Sequence, residues 1–210
     1  MTSTGRFISL EGGEGTGKST QARAIVRSLE SRGLTVHLTR EPGGTPGAET
    51  IRELLLTGQD EKWSMRTEAL LFAAARAEHC HSLIRPALEK GEWVVSDRFL
   101  DSSRAYQSVS GELTDSDIMT LHNVGSKGLL PDRTFVLDIP EEVASRRANA
   151  RDRGESDRIG GRDAGYHLQV MNNFRQYAVD EPDRVRLIDA SGLPEAVTDT
   201  ILENLSDLLE

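Results

Sequence analysis

Gly12-Gly13-Glu14-Gly15-Thr16-Gly17-Lys18-Ser19 is the stretch of this sequence that decides its fold. It satisfies the pattern G-x-x-x-x-G-K-[ST] and lies between a short apolar run at 6–11 and a segment of helical apolar spacing at 18–32. Glycines in such a loop let backbone N–H groups surround phosphate oxygens, and the N-terminus of the following helix adds a favourable dipole. The stretch therefore predicts a phosphate-binding loop between a first strand and a first helix.

The end of this loop carries the side chains suited to phosphate chemistry. Lys18 is expected to reach the β- and γ-phosphates of a nucleoside triphosphate, and Ser19 is expected to ligate Mg²⁺. A dinucleotide-binding G-x-G-x-x-G pattern does not fit, because Lys18 stands where its third glycine would be. We expect the triphosphate to be bound by the whole run Gly12, Gly13, Glu14, Gly15, Thr16, Gly17, Lys18, Ser19 and Thr20.

Alternating strands and helices are predicted along the rest of the chain. Five short apolar runs predict buried strands at 6–11, 34–39, 92–97, 133–138 and 185–189. Apolar residues spaced three to four apart predict helices at 18–32, 46–57, 67–88, 114–126, 141–151, 164–179 and 194–209. This order predicts a three-layer α/β fold, with a five-stranded parallel sheet covered by helices on both faces. With no repeat or linker in its 210 residues, we expect a single domain over 1–210.

Composition narrows the classes of partner. A net charge of −9 argues against nucleic acid, and no apolar run approaches the roughly 20 residues that would span a membrane. The N-terminus has no signal-peptide pattern, so a cytoplasmic location is expected. Cys80 is the single cysteine, which excludes an internal disulfide, and its apolar setting predicts a buried thiol. A local cluster of arginines could nevertheless meet a small phosphate ligand: Arg146, Arg147, Arg151, Arg153, Arg158 and Arg162.

The end of the third predicted strand carries a second chemical signal, Asp97-Arg98. Asp97 is placed to hold Mg²⁺ through water, and Arg98 offers a planar fork that matches a phosphate. The sequence has no Asn-Lys-x-Asp motif of GTPases, and neither 94–98 nor 135–139 supplies the glutamate with which large ATPases activate water. Transfer of a phosphoryl group to a small acceptor is therefore the better interpretation.

Several ordered segments make the interpretation more specific. Residues 95–107, Val-Ser-Asp-Arg-Phe-Leu-Asp-Ser-Ser-Arg-Ala-Tyr-Gln, resemble the signature of thymidylate kinases, and 7–21, 39–45, 67–76 and 153–158 resemble that family in the same order. The resemblance implies that ATP phosphorylates dTMP to dTDP by direct in-line transfer, a step in dTTP biosynthesis. It also implies a homodimer.

The resemblance assigns the acceptor base to two predicted helical faces. Phe72 and Arg76 lie four residues apart and so share a face, and the family pattern implies that Phe72 stacks on thymine while Arg76 contacts its carbonyl edge. It places Ser103, Tyr106 and Gln107, which share another face, near the base and deoxyribose.

The phosphate and the sugar of dTMP are assigned in the same way. Arg52 and Arg98 are implied to grip the acceptor phosphate, and Glu14 to approach the 3′-hydroxyl region of the sugar. We expect Glu14 to point away from the triphosphate, because a carboxylate repels phosphate.

A lid completes the expected site. Gly15 stands where one subgroup of the family carries an arginine, so the missing charge is expected from a mobile lid at about 150–162, with Arg153 as a catalytic arginine beside Lys18, Arg98 and Asp97. Gly160-Gly161 departs from the family pattern and predicts a more flexible hinge. Two alternatives stay open: a kinase for another monophosphate such as dUMP, dCMP or AMP, and a P-loop nucleotide-binding regulator without an acceptor.

Overall fold

A computed structural model describes residues 5–58, 62–152 and 157–209. Five strands form one parallel sheet in the order β2-β3-β1-β4-β5. Their bounds are β1 Phe7–Glu11, β2 Val36–Arg40, β3 Trp93–Asp97, β4 Arg133–Asp138 and β5 Val185–Asp189. The predicted parallel sheet is confirmed, and all five strands lie within two residues of their expected bounds.

Nine α-helices are formed by the described residues. They are α1 Lys18–Ser31, α2 Pro46–Leu56, α3 Met65–His79, α4 Arg85–Glu89, α5 Leu100–Gln107, α6 Asp115–Ser126, α7 Glu141–Asp152, α8 Ala164–Asp180 and α9 Pro194–Glu203. None of these helices is both long enough and apolar enough to span a bilayer.

Two predicted helices differ from the structure, and one further helix was not predicted from apolar spacing. The helix expected at 67–88 is divided by a π-helical turn at Cys80–Ile84, because Pro86 has no N–H for a helical hydrogen bond and its ring crowds the preceding turn. The helix expected at 194–209 ends at Glu203 and is followed by a 3₁₀ turn at Ser206–Leu208. Helix α5, which carries the helical face expected for Ser103, Tyr106 and Gln107, was not found from apolar spacing, since its buried side chains include polar ones such as Asp101 and Arg104.

The central strands β1, β3 and β4 are buried on both faces, whereas the edge strands β2 and β5, which were expected to be buried, expose Leu38 and Leu187 at 46% and 45%. Ile8 and Leu10 of β1 pack with α1 and α9, whereas Phe7 packs on the opposite side against Ile84 and Phe99. Each fully buried apolar side chain of this size contributes about 1.5–3 kcal/mol relative to exposure. Burial on both faces explains why the central strands read as nearly continuous apolar runs. Cys80 is buried in this second layer, as expected.

Candidate active site

The loop between β1 and α1 has the backbone of a phosphate cradle. Gly12, Gly15 and Gly17 have φ of 129°, 73° and 96°, a region in which side-chain-bearing residues are strained. Gly12 is further constrained, because a Cβ there would lie 2.6 Å from the carbonyl oxygen of Leu137 in β4. The loop therefore passes directly against the neighbouring strand.

Gly15 lies against the backbone of helix α7. A Cβ at this position would approach the Ala144 carbonyl oxygen to 2.2 Å and the Ala148 nitrogen to 3.0 Å. The sequence interpretation treated Gly15 as the place of a missing arginine. The structure adds a steric reason, since this position of α7 leaves no room for any side chain.

Lys18 is held inside the loop that it serves. Its Nζ donates to the carbonyl oxygens of Gly12 at 3.1 Å and Gly13 at 2.6 Å. Burial, together with the nearby positive charge of Arg98, lowers the pKa of Lys18 to about 8. A polyanion bound in the loop would therefore favour the charged form of Lys18.

Ser19, in the first turn of α1, meets Asp97 at the end of β3. Asp97 ends β3, where it is in register with Leu10 of β1, and its Oδ2 accepts a hydrogen bond from Ser19 Oγ at 2.5 Å. The pair offers hydroxyl and carboxylate oxygens, which are ligands that Mg²⁺ prefers. Among the described residues there is no cluster of three or more His, Cys, Asp or Glu that could hold a metal by itself.

Arg98 lies beside the phosphate loop in a left-handed backbone conformation, with φ of 72°. Its guanidinium donates to the Gly12 carbonyl oxygen at 3.0 Å, to Glu14 Oε1 at 2.8 Å and to Ser102 Oγ at 3.1 Å. It also lies over the ring of Tyr106, 5.1 Å from the centroid. Arg98 is therefore fixed at the junction between the loop and the rest of the cleft.

Glu11 is a residue of this junction that the sequence interpretation did not single out. Its two carboxylate oxygens accept hydrogen bonds from the Phe99 N–H at 2.8 Å and from Ser102 Oγ at 2.5 Å. Burial and the neighbouring Asp101 raise the pKa of Glu11 to about 8. An acidic residue at the end of a buried strand was the available signal. Through these two hydrogen bonds Glu11 holds residues 99–102, which directly follow Arg98, against the end of β1.

One cleft of about 760 Å³ joins the phosphate loop to the expected acceptor residues. Arg52 contributes to its wall while donating to the Pro42 carbonyl oxygen at 2.6 Å. The amide nitrogen of Gln107 donates to Glu68, whereas its buried Oε1 has no hydrogen-bond partner among the described residues. The predicted residues on the cleft wall are Glu14, Gly15, Thr16, Gly17, Lys18, Ser19, Thr20, Arg52, Phe72, Asp97, Arg98, Ser103, Tyr106 and Gln107.

Arg76 lies behind this wall rather than on it. Its Nη2 donates to Ser103 Oγ at 2.5 Å, and its Nε donates to Glu41 Oε2 at 2.9 Å. Ser103 and Glu41 both line the cleft, so the guanidinium is one side chain away from the cavity.

The arginine cluster divides between two places. Arg158 and Arg162 both donate to the buried Oε2 of Glu68, at 2.5 and 2.8 Å, whereas Arg147 of α7 lines the cleft. Arg153, the expected catalytic arginine of the lid, lies outside the described residues.

Fold and site together define a class of protein. A parallel α/β sheet, a phosphate-binding loop after β1 and an Asp-Arg pair at the end of the adjacent strand form a P-loop nucleotide-binding protein, with further cleft space for a second ligand.

Comparison with known proteins identifies the family. A family model described as thymidylate kinase matches residues 10–201, and the chain belongs to the thymidylate kinase family. A thymidylate kinase of Rhizorhabdus wittichii is 55% identical over 205 residues, covering 98% of this chain and 99% of that protein. One of Bradyrhizobium diazoefficiens is 44% identical over 98% of this chain and 90% of its own. The crystal structure of thymidylate kinase from Ehrlichia chaffeensis superposes with a TM-score of 0.76 at 29% identity, covering 96% of this chain and 99% of that one.

Proposed function

We propose that this protein transfers the γ-phosphoryl group of ATP to dTMP, giving ADP and dTDP. The observation that carries the proposal is the continuous cleft in which the phosphate loop faces Arg52, Phe72 and Tyr106. Membership of the thymidylate kinase family and full-length relatives of the same name support dTMP as the acceptor.

In the proposed reaction, a phosphate oxygen of dTMP attacks the γ-phosphorus while the bond to the β,γ-bridging oxygen breaks. ADP takes that bonding pair, so no covalent enzyme intermediate is formed. Lys18 and Arg98 supply positive charge where the migrating group passes, and Arg52 with Arg98 orients the acceptor phosphate. Alignment and charge stabilisation account for most of the catalysis that a protein gives to such a transfer.

We propose that Ser19 and Asp97 hold Mg²⁺, Asp97 through water. Their side-chain oxygens are already 2.5 Å apart, and hard oxygen donors suit this cation. When bound, the ion would neutralise phosphate charge. The chain's own part is to keep the hydroxyl and the carboxylate together where the first turn of α1 meets the end of β3.

The remaining charge is proposed to come from α7 and the segment after it. Arg147 supports this assignment, because it lies on the cleft wall near the loop glycine that has no room for a side chain. Arg153 stays a prediction, as does the mobile lid at 150–162. Arg158 and Arg162 are instead engaged with Glu68, which favours a role at the base of that segment.

For the nucleoside, we propose that Phe72 stacks on thymine and that Arg76, which is bonded to Ser103 of the cleft wall, reads its carbonyl edge. Tyr106 and Gln107 are assigned to the deoxyribose and base, and the unpartnered Oε1 of Gln107 supports a hydrogen bond to the ligand. Glu14 is assigned to the 3′-hydroxyl region. In the structure it pairs with Arg98.

A panel of monophosphates tests the function. ADP release is measured with ATP, Mg²⁺ and each of dTMP, dUMP, dCMP and AMP, together with a reaction lacking any acceptor. A strong preference for dTMP is expected. Preference for another base would support a different monophosphate kinase, and absence of acceptor-dependent release would support a nucleotide-binding regulator.

We also propose a homodimer. Helices α3 and α6 pack closely at Gly125, and they expose the large apolar side chains of Leu70 and Val124. Light scattering coupled to size-exclusion chromatography should give twice the chain mass of 23.1 kDa. The cytoplasmic location stays a prediction from the sequence.

A further inference from the structure

A chain of four buried polar side chains runs away from the cleft, beginning at Arg76. Arg76 Nε donates to Glu41 Oε2 at 2.9 Å, and the other carboxylate oxygen, Oε1, lies 2.9 Å from His79 Nδ1. His79 Nε2 in turn lies 2.7 Å from Thr39 Oγ1. The four residues come from β2, the following loop and α3, and none exceeds 8% exposure.

The hydrogen-bond roles along this chain follow from chemistry. The Glu41 carboxylate can only accept, so Nδ1 of His79 carries the proton that faces it. In the neutral imidazole, Nε2 is then the acceptor, and the Thr39 hydroxyl donates to it. Each group fixes the orientation of the next one.

Arg76 is held at two of its three nitrogens. Nε donates to Glu41 and Nη2 to Ser103, whereas Nη1 has no hydrogen-bond partner within the part of the chain that the structure describes. Nη1 is also not completely enclosed by the surrounding protein atoms. The guanidinium thus lies directly behind Ser103, which lines the acceptor part of the cleft, and keeps one donor without a described partner.

The loop after β2 packs closely against the same four side chains. Gly44, with φ of 88°, passes so close that a Cβ would lie 2.4 Å from Thr39 Oγ1 and 2.7 Å from His79 Nε2. A buried ion pair such as Glu41–Arg76 is a poor source of stability, because desolvation offsets most of its attraction. A positioning role accounts for an arrangement that stability alone does not favour.

We propose that Glu41, His79 and Thr39 are positioning residues for substrate recognition: they hold the Arg76 guanidinium so that its free donor meets the base of the acceptor nucleotide. The inference rests on the proposed function, since it concerns binding of dTMP. It assigns no contact between these three residues and the transferred phosphoryl group.

Two substitutions of His79 form the first test. His79→Leu removes both ring nitrogens, whereas His79→Asn keeps an amide donor near the position of Nδ1 and can still bond Glu41. The expected result for His79→Leu is a KM for dTMP raised about tenfold, equal to about 1.4 kcal/mol, with the KM for ATP within about twofold of wild type. His79→Asn should recover most of the loss.

The inference is overturned if His79→Leu changes neither KM, if it raises both equally, or if His79→Asn is as impaired as His79→Leu. A general loosening of the fold would affect both substrates, so the split between the two KM values separates positioning from structure. Thermal unfolding of each variant is measured alongside.

Thr39 gives a second pair that keeps the test decisive if His79→Leu does not fold. Thr39→Val replaces the hydroxyl by a methyl of similar size, and Thr39→Ser keeps the hydroxyl. Thr39→Val should raise the KM for dTMP about threefold with the ATP value unchanged, and Thr39→Ser should resemble wild type; equal behaviour of the pair refutes the proposal. Wild-type enzyme that failed to phosphorylate dTMP would instead refute the proposed function.

Discussion

Binding of ATP should draw a proton onto Lys18, and the size of this uptake follows from the loop. Burial and Arg98 lower the pKa of Lys18 to about 8 in the ligand-free protein. At pH 8 about half of the lysines are then neutral, against ~0.1 at pH 7 and ~0.9 at pH 9. A triphosphate in the cradle favours the charged form and raises the pKa again. Proton uptake per ATP bound should therefore rise from ~0.1 to ~0.9 over this range.

Isothermal titration calorimetry measures that uptake. ATP with excess Mg²⁺ is titrated into the protein without dTMP, in HEPES and in Tris at the same pH, and the difference in heat gives the number of protons transferred. The nucleotide contributes little at pH 8, because its terminal phosphate ionises at about pH 6. The sign is fixed: affinity for ATP falls as the pH rises through 8, since the neutral lysine must first be protonated.

Glu11 is the internal control for this experiment, because its pKa is also raised to about 8. Glu11→Gln removes that titration and also one carboxylate that raises the pKa of Lys18, so the variant should take up about half a proton or more at pH 8. Uptake below ~0.2 proton in wild type would refute the reasoning. Uptake that disappears in Glu11→Gln would assign the proton to Glu11 instead.

Three further variants probe other parts of the site. Arg98→Ala should lower kcat by ~10³ or more while calorimetry still detects ATP binding, and near-normal turnover would defeat the proposed role. Gly15→Ala should destabilise the protein by about 1–3 kcal/mol more than Gly111→Ala in denaturant unfolding, because both glycines have φ of 73° but only the Cβ at Gly15 meets Ala144 of α7, whereas Gly111 has open space. Equal losses in these two would contradict the steric argument. Glu68→Gln should cost about 3–5 kcal/mol, since it leaves the charges of Arg158 and Arg162 without their shared carboxylate; a loss under about 1 kcal/mol would contradict this.

The elements of the fold could be predicted from sequence wherever apolar spacing reports burial. Strands β4 and β5 have their predicted bounds because each is a short run rich in apolar residues that ends in Asp, although only β4 is buried along nearly its whole length. Helix α5 could not be found in this way. It buries Asp101 and Arg104 through ion pairs with Asp115, Glu181 and Arg184, and hydropathy does not register burial of paired charges.

The candidate site shows the same division. Lys18 and Ser19 were predictable, because their role depends on a loop of adjacent residues with a fixed spacing. The side chains that hold Arg76 were not predictable. Glu41 is 35 positions from Arg76 and 38 positions from His79 in the sequence, and only the fold brings the three together. A motif shows which side chains carry chemistry, whereas long-range contacts show what holds them still.

The close packing of α7 on Gly15 means that positive charge can come from an arginine at residue 15 or from Arg147 of α7, but not from both. With the Ala144 carbonyl resting on the bare backbone of residue 15, an arginine there could be accommodated only if the helix were displaced, and Arg147 would be carried away with it. Gly15 thus allows α7 to pack against the loop, and any side chain at this position would push away the helix that carries Arg147. An arginine added to the loop of this protein would therefore take the positive charge of Arg147 away from the other side of the cleft.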